Sequence, residues 1–285
     1  MSLRPLVLML PASLLLAACT VQIPASASQG ADGHCPHNAP RSLALDLDGV
    51  TAVALELGPD TLVLTGQAGS TGQLEGRVCA AKADQLDSVQ LVQRREGTVL
   101  TVRAERPTRT GLSLGRTAWL DLRGSLPDSI PVTLRLGSGE FQASRLAALK
   151  ATIGSGDVEA SDIAGDITLT VGSGDVSVRR AGSLALDNLG SGELEASDIT
   201  GDLRVGNIGS GDVSAERVGG HVQVGNIGSG DLTLTRVTGN VEVDAIGSGD
   251  VRAREIGGGL TVRRLGSGDI RHEQVSGPVS VPRGR

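Results

Sequence analysis

Eight Gly-Ser-Gly triplets, beginning at residues 137, 154, 172, 190, 209, 228, 247 and 266, constrain this chain more than any other feature. Each is followed by a carboxylate: Glu140, Asp157, Asp175, Glu193, Asp212, Asp231, Asp250 and Asp269. The spacing is 17, 18, 18 and then 19 residues four times over. A unit of about 20 residues cannot bury its own apolar face, so units repeated at that period must stack into a solenoid.

Within each repeat two half-repeats share the pattern apolar-x-apolar-x-x-apolar, as in Val213-Ser-Ala215-Glu-Arg-Val218 and Val222-Gln-Val224-Gly-Asn-Ile227. The first two apolar residues alternate as in a strand, and the spacing of three to the last requires a bend that returns it to the core. Gly-containing corners separate the half-repeats: Gly-Ser-Gly-Asp on one side, and Gly201-Asp202, Gly219-Gly220 or Gly239-Asn240 on the other. Two strands and two corners in 17–19 residues predict one coil of a parallel β-helix, an all-β fold. Coils stack about 4.8 Å apart, so eight would span about 35 Å. Antiparallel hairpins also use Gly-Asp turns, but they do not demand the same residues at a fixed period. One Phe, one Trp, no Tyr and 41 glycines in 285 residues suit a slim interior rather than a broad globular core.

The repeats occupy residues 137–285. Residues 42–136 are β-rich but irregular and read as an N-terminal cap. Period-two runs fall at Leu43–Leu47, Val53–Leu57, Leu62–Leu64, Leu91–Arg94, Val99–Ala104, Ala118–Leu122 and Val132–Leu136, with a short helical turn within Lys82–Val89 and a polar loop over 105–117. In the last coil His272 stands where earlier coils carry Ala or Val, and Pro278, Pro282 and two arginines blunt the final edge against self-pairing.

Residues 1–18 read as a signal peptide: one charge, Arg4, then an apolar stretch Leu6–Ala18 too short to span a bilayer. Leu16-Ala17-Ala18-Cys19 resembles a bacterial lipobox, which implies cleavage before Cys19 and acylation of that cysteine, palmitate included. Several acyl chains on one residue give stable anchoring where a single chain does not. Thr20 rather than Asp follows, which favours the outer membrane of a Gram-negative bacterium. Residues 19–41, rich in Ala, Ser, Gly and Pro, read as the lipidated cysteine and a flexible tether. In an exported chain Cys35 and Cys79 can form a disulfide worth roughly 3–4 kcal/mol; the alternative is a metal site using Cys35 with His34 and His37, although no second ligand pair accompanies them.

Runs of Gly-Asp-Val-x-Val-x-x-Ile-x-Gly after a β-rich section resemble the bacterial putative-adhesin family of β-helical repeat domains, a domain of unknown function. Trp119-Leu-Asp-Leu-Arg and Ile130-Pro131-Val132-Thr-Leu134, leading into Gly137-Ser-Gly-Glu140, are similar to that family's approach to its first coil. The resemblance covers roughly residues 42–282. It implies a β-helix and an adhesin-like role, and brings no catalytic residues.

Carboxylates in one register near 4.8 Å apart repel by about 1 kcal/mol per neighbouring pair even in water. Two readings offset this. Each Asp could accept backbone N–H groups of its own corner in an Asx-type turn. Alternatively, Asp157, Asp175, Glu193, Asp212, Asp231, Asp250 and Asp269 could line a ridge for a cation such as Ca²⁺. Asn188, Asn207 and Asn226 share one position of three successive coils, as an internal amide ladder would. The corner serines suggest no nucleophile, since eight stacked copies have no His recurring beside them. His221 and His272 fall at unrelated positions. A formal charge of −6 argues against nucleic acid. The expectation is a non-catalytic envelope lipoprotein, held to the membrane by its N-terminal lipid. It would act as an adhesin-like binding module for a protein or polysaccharide, with avidity from multiplicity. The alternatives are a structural scaffold or self-associating envelope protein, and a divalent-cation-binding β-solenoid.

Overall fold

The computed structural model describes residues 35–106 and 118–282. Cys19, the segment before it and the tether up to His34 lie outside the described residues, as do residues 107–117 and 283–285. The chain builds a β-solenoid of two facing twelve-stranded sheets. From Val132 onward successive strands alternate between the sheets, and each pairs in parallel with the strand one coil before and one coil after. Thus Val213, Leu232 and Val251 stack in sheet A, and Val222, Val241 and Leu260 in sheet B.

Residues that alternate in the sequence face the interior as a continuous column. In one coil Val213, Ala215, Val218, Val222, Val224 and Ile227 are all at most 3% exposed. The interior is only two opposed rows of aliphatic side chains wide, which is why the chain needs almost no aromatics. Phe141, in the first repeat coil, is fully buried.

The bend before the last apolar residue has a specific form in sheet A. One residue per coil adopts left-handed backbone: Arg145, Asp162, Arg180, Asp198, Arg217, Arg236, Glu255 and Gln274, with φ of 53–59°. That residue is left out of the ladder, so Ser161 pairs with Arg179 and Ile163 with Ala181 while Asp162 and Arg180 are skipped. None is glycine, although the conformation costs a side-chain-bearing residue about 1–2 kcal/mol.

Sheet B explains the uneven period. Its strands Leu149–Ile153 and Ile167–Val171 have five residues, whereas Leu184–Leu189 and its successors through Leu260–Leu265 have six, the register shifting between Leu169 and Thr170. The extra residue is Asp187, Gly206, Gly225, Asp244 or Arg263. The corner after sheet A holds either two residues, Ala147-Ala148 or Gly182-Ser183, or three, as in Ala164–Asp166 or Thr200–Asp202. A short corner without the extra residue gives 17; one lengthening gives 18; both give 19.

The same two sheets run on before the repeats. Strands β1 (His37–Ala44), β2 (Ala52–Leu57), β3 (Thr61–Gly66), β4 (Gln73–Ala80), β5 (Gln90–Glu96), β6 (Val99–Glu105), β7 (Ala118–Leu126), β8 (Val132–Leu136) and β9 (Glu140–Ser144) occur in that order. β2 and β3 form a coil directly beneath β8 and β9, in parallel register. β6 and β7 form the coil beneath that one, so residues 127–131 step past an already laid coil. Antiparallel strands finish this end, β4 and then β1 on sheet A, and β5 on sheet B. Between β4 and β5 a 3-10 helix covers Ala83–Ser88, inside the stretch read as a helical turn.

β1 starts at His37, inside the stretch read as tether to residue 41. Its alternation is carried by Asn-Ala-Pro-Arg-Ser-Leu-Ala, too polar to register as a strand. It forms because β4 offers a full eight-residue antiparallel edge. Cys35 and Cys79 are joined in a disulfide across a sequence separation of 44, which fastens that edge strand at its start.

Gly58-Pro59-Asp60 is the corner between β2 and β3 and lies under the first triplet, with Gly137 N–H donating to Leu57 O at 3.0 Å and Glu140 N–H to Asp60 O at 3.0 Å. Asp60 is wholly buried. Its carboxylate accepts from the N–H groups of Gly58 and Leu120, each at 2.9 Å, and from the Arg106 guanidinium. Three donors satisfy a buried charge that would otherwise be strongly destabilising.

Candidate functional site on the outer faces

The acidic ladder binds coil to coil, which corrects the own-corner Asx expectation. Asp157 Oδ1 accepts the backbone N–H of Asp175 at 3.3 Å, and Asp175 Oδ1 that of Glu193 at 3.0 Å. Asp212, Asp231 and Asp250 accept those of Asp231, Asp250 and Asp269 at 2.8, 2.9 and 3.0 Å. Where the acid is Glu the bond is absent. Asp157 N–H, above Glu140, donates to Gly139 O at 3.0 Å, and Asp212 N–H, above Glu193, to Gly192 O at 3.1 Å. The N–H at this register points back along the axis, and a carboxylate one methylene from the backbone reaches it while Glu overshoots. One oxygen of each such Asp is thereby committed to the stack.

The opposite corner repeats the device with other chemistry, which the sequence reading missed. Asp202 Oδ1 accepts His221 N–H at 2.9 Å, His221 Nδ1 accepts Asn240 N–H at 3.0 Å, and Asn240 Oδ1 accepts Gly259 N–H at 2.8 Å. The bond from His221 N–H is the main cause holding the Asp202 carboxyl below its ordinary value. The signal was available: an acceptor side chain recurs at the third residue of that corner, whatever its type.

The left-handed residues of sheet A pair along the axis too. Arg180 grips Asp162 through two nitrogens at 2.6 and 2.9 Å, and Arg217 grips Asp198 at 2.5 and 2.9 Å. These side-chain bonds lower both carboxyls below the usual range. The sequence pattern leaves these residues as unassigned spacers, because their facing depends on the bulge.

The acidic ladder is not electrically uniform. Arg252 bridges Asp231 at 2.9 Å and Asp250 at 3.2 Å, and Arg271 reaches Asp269 at 3.2 Å and Asp250 at 3.6 Å. The Arg252 contact is the largest cause lowering the Asp231 carboxyl, followed by the N–H of Asp250. Three, four and five coils before Arg252 the corresponding outward positions are Glu195, Ser177 and Glu159. There a shallow trough of about 250 Å³ is lined by Glu140, Asp157, Glu159, Asp175, Glu193 and Glu195. Among the described residues no group of three or more His, Cys, Asp or Glu side chains converges as a metal shell.

Asn188, Asn207 and Asn226 do stack in register, but on the exterior rather than inside, exposed to solvent. Asn226 Nδ2 donates to Asn207 Oδ1 at 3.0 Å. They align with Thr170, an outward position of the strand before them, and so continue an outward column rather than a core one. The corner serines are exposed; Ser267 Oγ donates to Ser248 Oγ at 3.2 Å.

That extra residue also shapes a groove on sheet B. In two successive coils it is glycine, Gly206 and Gly225, flanked in the same column by Asp187 before and Asp244 after. A Cβ on either glycine would overlap the carbonyl oxygen of the coil beneath, so no side chain stands there. The resulting hollow, about 470 Å³, is floored by backbone and edged by Asp187, Arg204, Gln223, Glu242, Asp244 and Arg263. Arg204 pairs with Asp202 at 2.8 Å, and Arg263 with Glu242 at 3.0 Å and with Asp244. Asp187 and Gln223 face the hollow and, among the described residues, have no hydrogen-bond or ion-pair partner. The groove offers fixed donors and acceptors of both signs at coil spacing.

No family model matches the chain, and no curated protein matches it. Several solved structures are similar to it. A "Putative lipid binding protein" from Parabacteroides distasonis ATCC 8503 superposes with a TM-score of 0.53 at 17% identity, covering 84% of this chain and 97% of its own. A "putative cell adhesion protein" from Clostridium sporogenes ATCC 15579 gives 0.40 at 14% identity over 70% of this chain and 100% of its own. A "putative adhesin" from Parabacteroides distasonis ATCC 8503 gives 0.44 at 12% identity over 83% and 97%. At such identities the first likeness shows a shared fold and nothing further.

Proposed function

We propose that this chain is a non-catalytic binding module of the cell envelope, adhesin-like in presenting a rigid polar face to a protein or polysaccharide. The glycine-floored groove of sheet B carries this reading. It is the place where the solenoid opens its backbone, and a missing side chain within a strand is where a ligand can approach closely. Its mixed hydrogen-bonding rim suits a neutral, hydroxyl-rich chain better than a single strong charge. Acylation at Cys19 would hold the module to the outer membrane, and labelling of the full chain with a fatty-acid probe, lost in Cys19→Ser, checks that part.

The test is an array of envelope and host glycans probed with the full chain and with Gln223→Trp. This variant fills the groove from an outward position without touching the core. Binding by the parent and loss in the variant support the site, whereas equal binding by both removes the groove from the reading. Protease shaving of intact cells that leaves the protein untouched would defeat the surface-adhesin role in favour of an inward-facing scaffold. A second reading, cation binding, is favoured by the trough from Glu140 to Glu195, whose carboxylates have, among the described residues, only Arg179 against Glu159 to balance them. A thermal melt unmoved between millimolar Ca²⁺ and chelator would remove it.

A further inference from the structure

The last described coil departs from the repeat at its core-facing register. His272 stacks on Ala253, which is 2% exposed, yet His272 itself is exposed. Ile270, Val275 and Val281 pack against the end of the core while remaining partly open, and Val279 is 40% exposed. Val251 N–H donates forward to Asp269 O at 2.9 Å. By the alternation of a parallel ladder, the N–H and C=O groups of Ile270 and His272 likewise point away from the coil beneath. Among the described residues nothing receives them. The prolines lie on the other sheet: Pro278 O accepts Leu260 N–H at 3.0 Å, and Pro282 follows Val281. The sheet A edge, Ile270–Val275, contains none.

We propose that this edge pairs with the same edge of a second copy of the chain, about a two-fold axis normal to the sheets and passing His272. The rotation reverses strand direction, so the two edges meet antiparallel and sheet A continues into its counterpart. Centred on His272, the pairing exchanges two backbone hydrogen bonds between His272 and the partner's His272, both of whose free groups face outward. The flanking pair is then Arg271 opposite the partner's Glu273, twice. Both residues point to the outer face, in the closer, non-hydrogen-bonded kind of pair, with Cα atoms about 4.5 Å apart. Arg271 is 60% exposed and Glu273 73% exposed. Their own contacts, Arg271 with Asp269 at 3.2 Å and Asp250 at 3.6 Å and Arg254 with Glu273 at 3.5 Å, leave donors and an acceptor oxygen free. The strand Ile-Arg-His-Glu-Gln-Val is thus complementary in charge to its own reverse, and closure covers Ile270, Val275, Val279 and Val281.

This inference gives a partner to the self-associating alternative and does not depend on the groove. Sedimentation equilibrium of the full chain in detergent is expected to show a dimer. Arg271→Glu should weaken it about tenfold, two surface ion pairs becoming two repulsions, and the swap Arg271→Glu with Glu273→Arg should restore it. His272→Cys should give a reducible covalent dimer on oxidation, since hydrogen-bonded antiparallel partners lie about 5.5 Å apart, within disulfide range. A parent that stays monomeric with His272→Cys uncrosslinked overturns the proposal even if a charge variant misfolds. Growth beyond a dimer overturns it in favour of head-to-tail stacking. Glycan binding by Gln223→Trp is scored separately, so loss of one property leaves the other readable.

Discussion

The Gly-Ser-Gly-Asp corner is held by close stacking of backbone, and three substitutions within one corner grade that cause. In the corner beginning at Gly247, a Cβ on Gly247 would lie 2.7 Å from Gly228 O. To reach an ordinary contact the coil must lift by about 0.7 Å, since van der Waals contact for such a Cβ begins near 3.4 Å. The lift acts on bonds of 2.7 Å from Gly247 N–H to Ile227 O and 2.8 Å from Ser248 N–H to Gly228 O. Stretched so far, they approach the limit of a hydrogen bond. At about 0.5–1.5 kcal/mol each, Gly247→Ala should cost about 1–3 kcal/mol. Gly249→Ala should cost more, because its Cβ would press closer still, on Gly230 O. Ser248→Ala, removing an exposed hydroxyl bonded to Ser267 at 3.2 Å, should stay within about 0.5 kcal/mol. The assay is the denaturant midpoint at unchanged slope, with amide exchange over Gly247–Val251 locating the damage. Nearest-neighbour coupling confines it to the adjoining coils. If Gly249→Ala proves as mild as Ser248→Ala, coil-to-coil approach is not why the triplet repeats.

Three further outcomes follow from the same geometry. Glu255 holds φ 58°, so Glu255→Gly should stabilise by up to about 1 kcal/mol and Glu255→Val destabilise by more, read from thermal midpoints. Asp162, Asp198, Asp202 and Asp231 have carboxyls lowered in the fold. Their contribution is present above the unfolded value near pH 3.9 and is lost as pH falls through the lower folded values. Stability should therefore decline below about pH 4, and Arg252→Gln, which removes the largest cause at Asp231, should flatten that decline in a pH series of melts. Reducing Cys35–Cys79, which closes a loop of 44 residues, should cost up to about 4 kcal/mol in the chain-entropy estimate, and amide exchange should show β1 releasing first.

The solenoid was legible because burial imposes the period. Val213, Ala215 and Val218 must face one row, and no other stacking satisfies a strict repeat. The earlier coil of β2 and β3 was not legible as a coil. Its corner reads Gly58-Pro59-Asp60, its acid is turned inward onto Leu120 and Arg106, and residues 67–131 separate it from its neighbour β8. A repeat search registers identity at a fixed interval, whereas stacking needs only register in space. The same limit hid β1, whose strand exists because β4 leaves an edge and not because its own residues prefer one. The bulges were half legible. A spacing of three announced a bend, but whether it would be a left-handed residue, as at Arg217, or an added residue, as at Gly206, depends on which sheet the strand joins.

For the functional reading the repeat itself turned out to be the weaker guide. Asp in the ladder is selected by reach, as Glu140 and Glu193, which take no N–H from the next coil, show, so an acid at every corner speaks for stacking before it speaks for a ligand. A residue type that recurs in one register is explained once the coil is explained. What remains unexplained by stacking is where the recurrence breaks. Asp187 gives way to Gly206 and Gly225 and then returns as Asp244. Ser177 and Ser214 give way to Arg252 and Arg271, which neutralise one end of the acidic row and leave the other bare. Ala253 gives way to His272 at the open end of the core. Each break changes what the surface offers without being needed to hold the coil. Binding and association are therefore best sought at those three places, and substitutions there should alter partners while leaving the melt of the solenoid close to that of the parent.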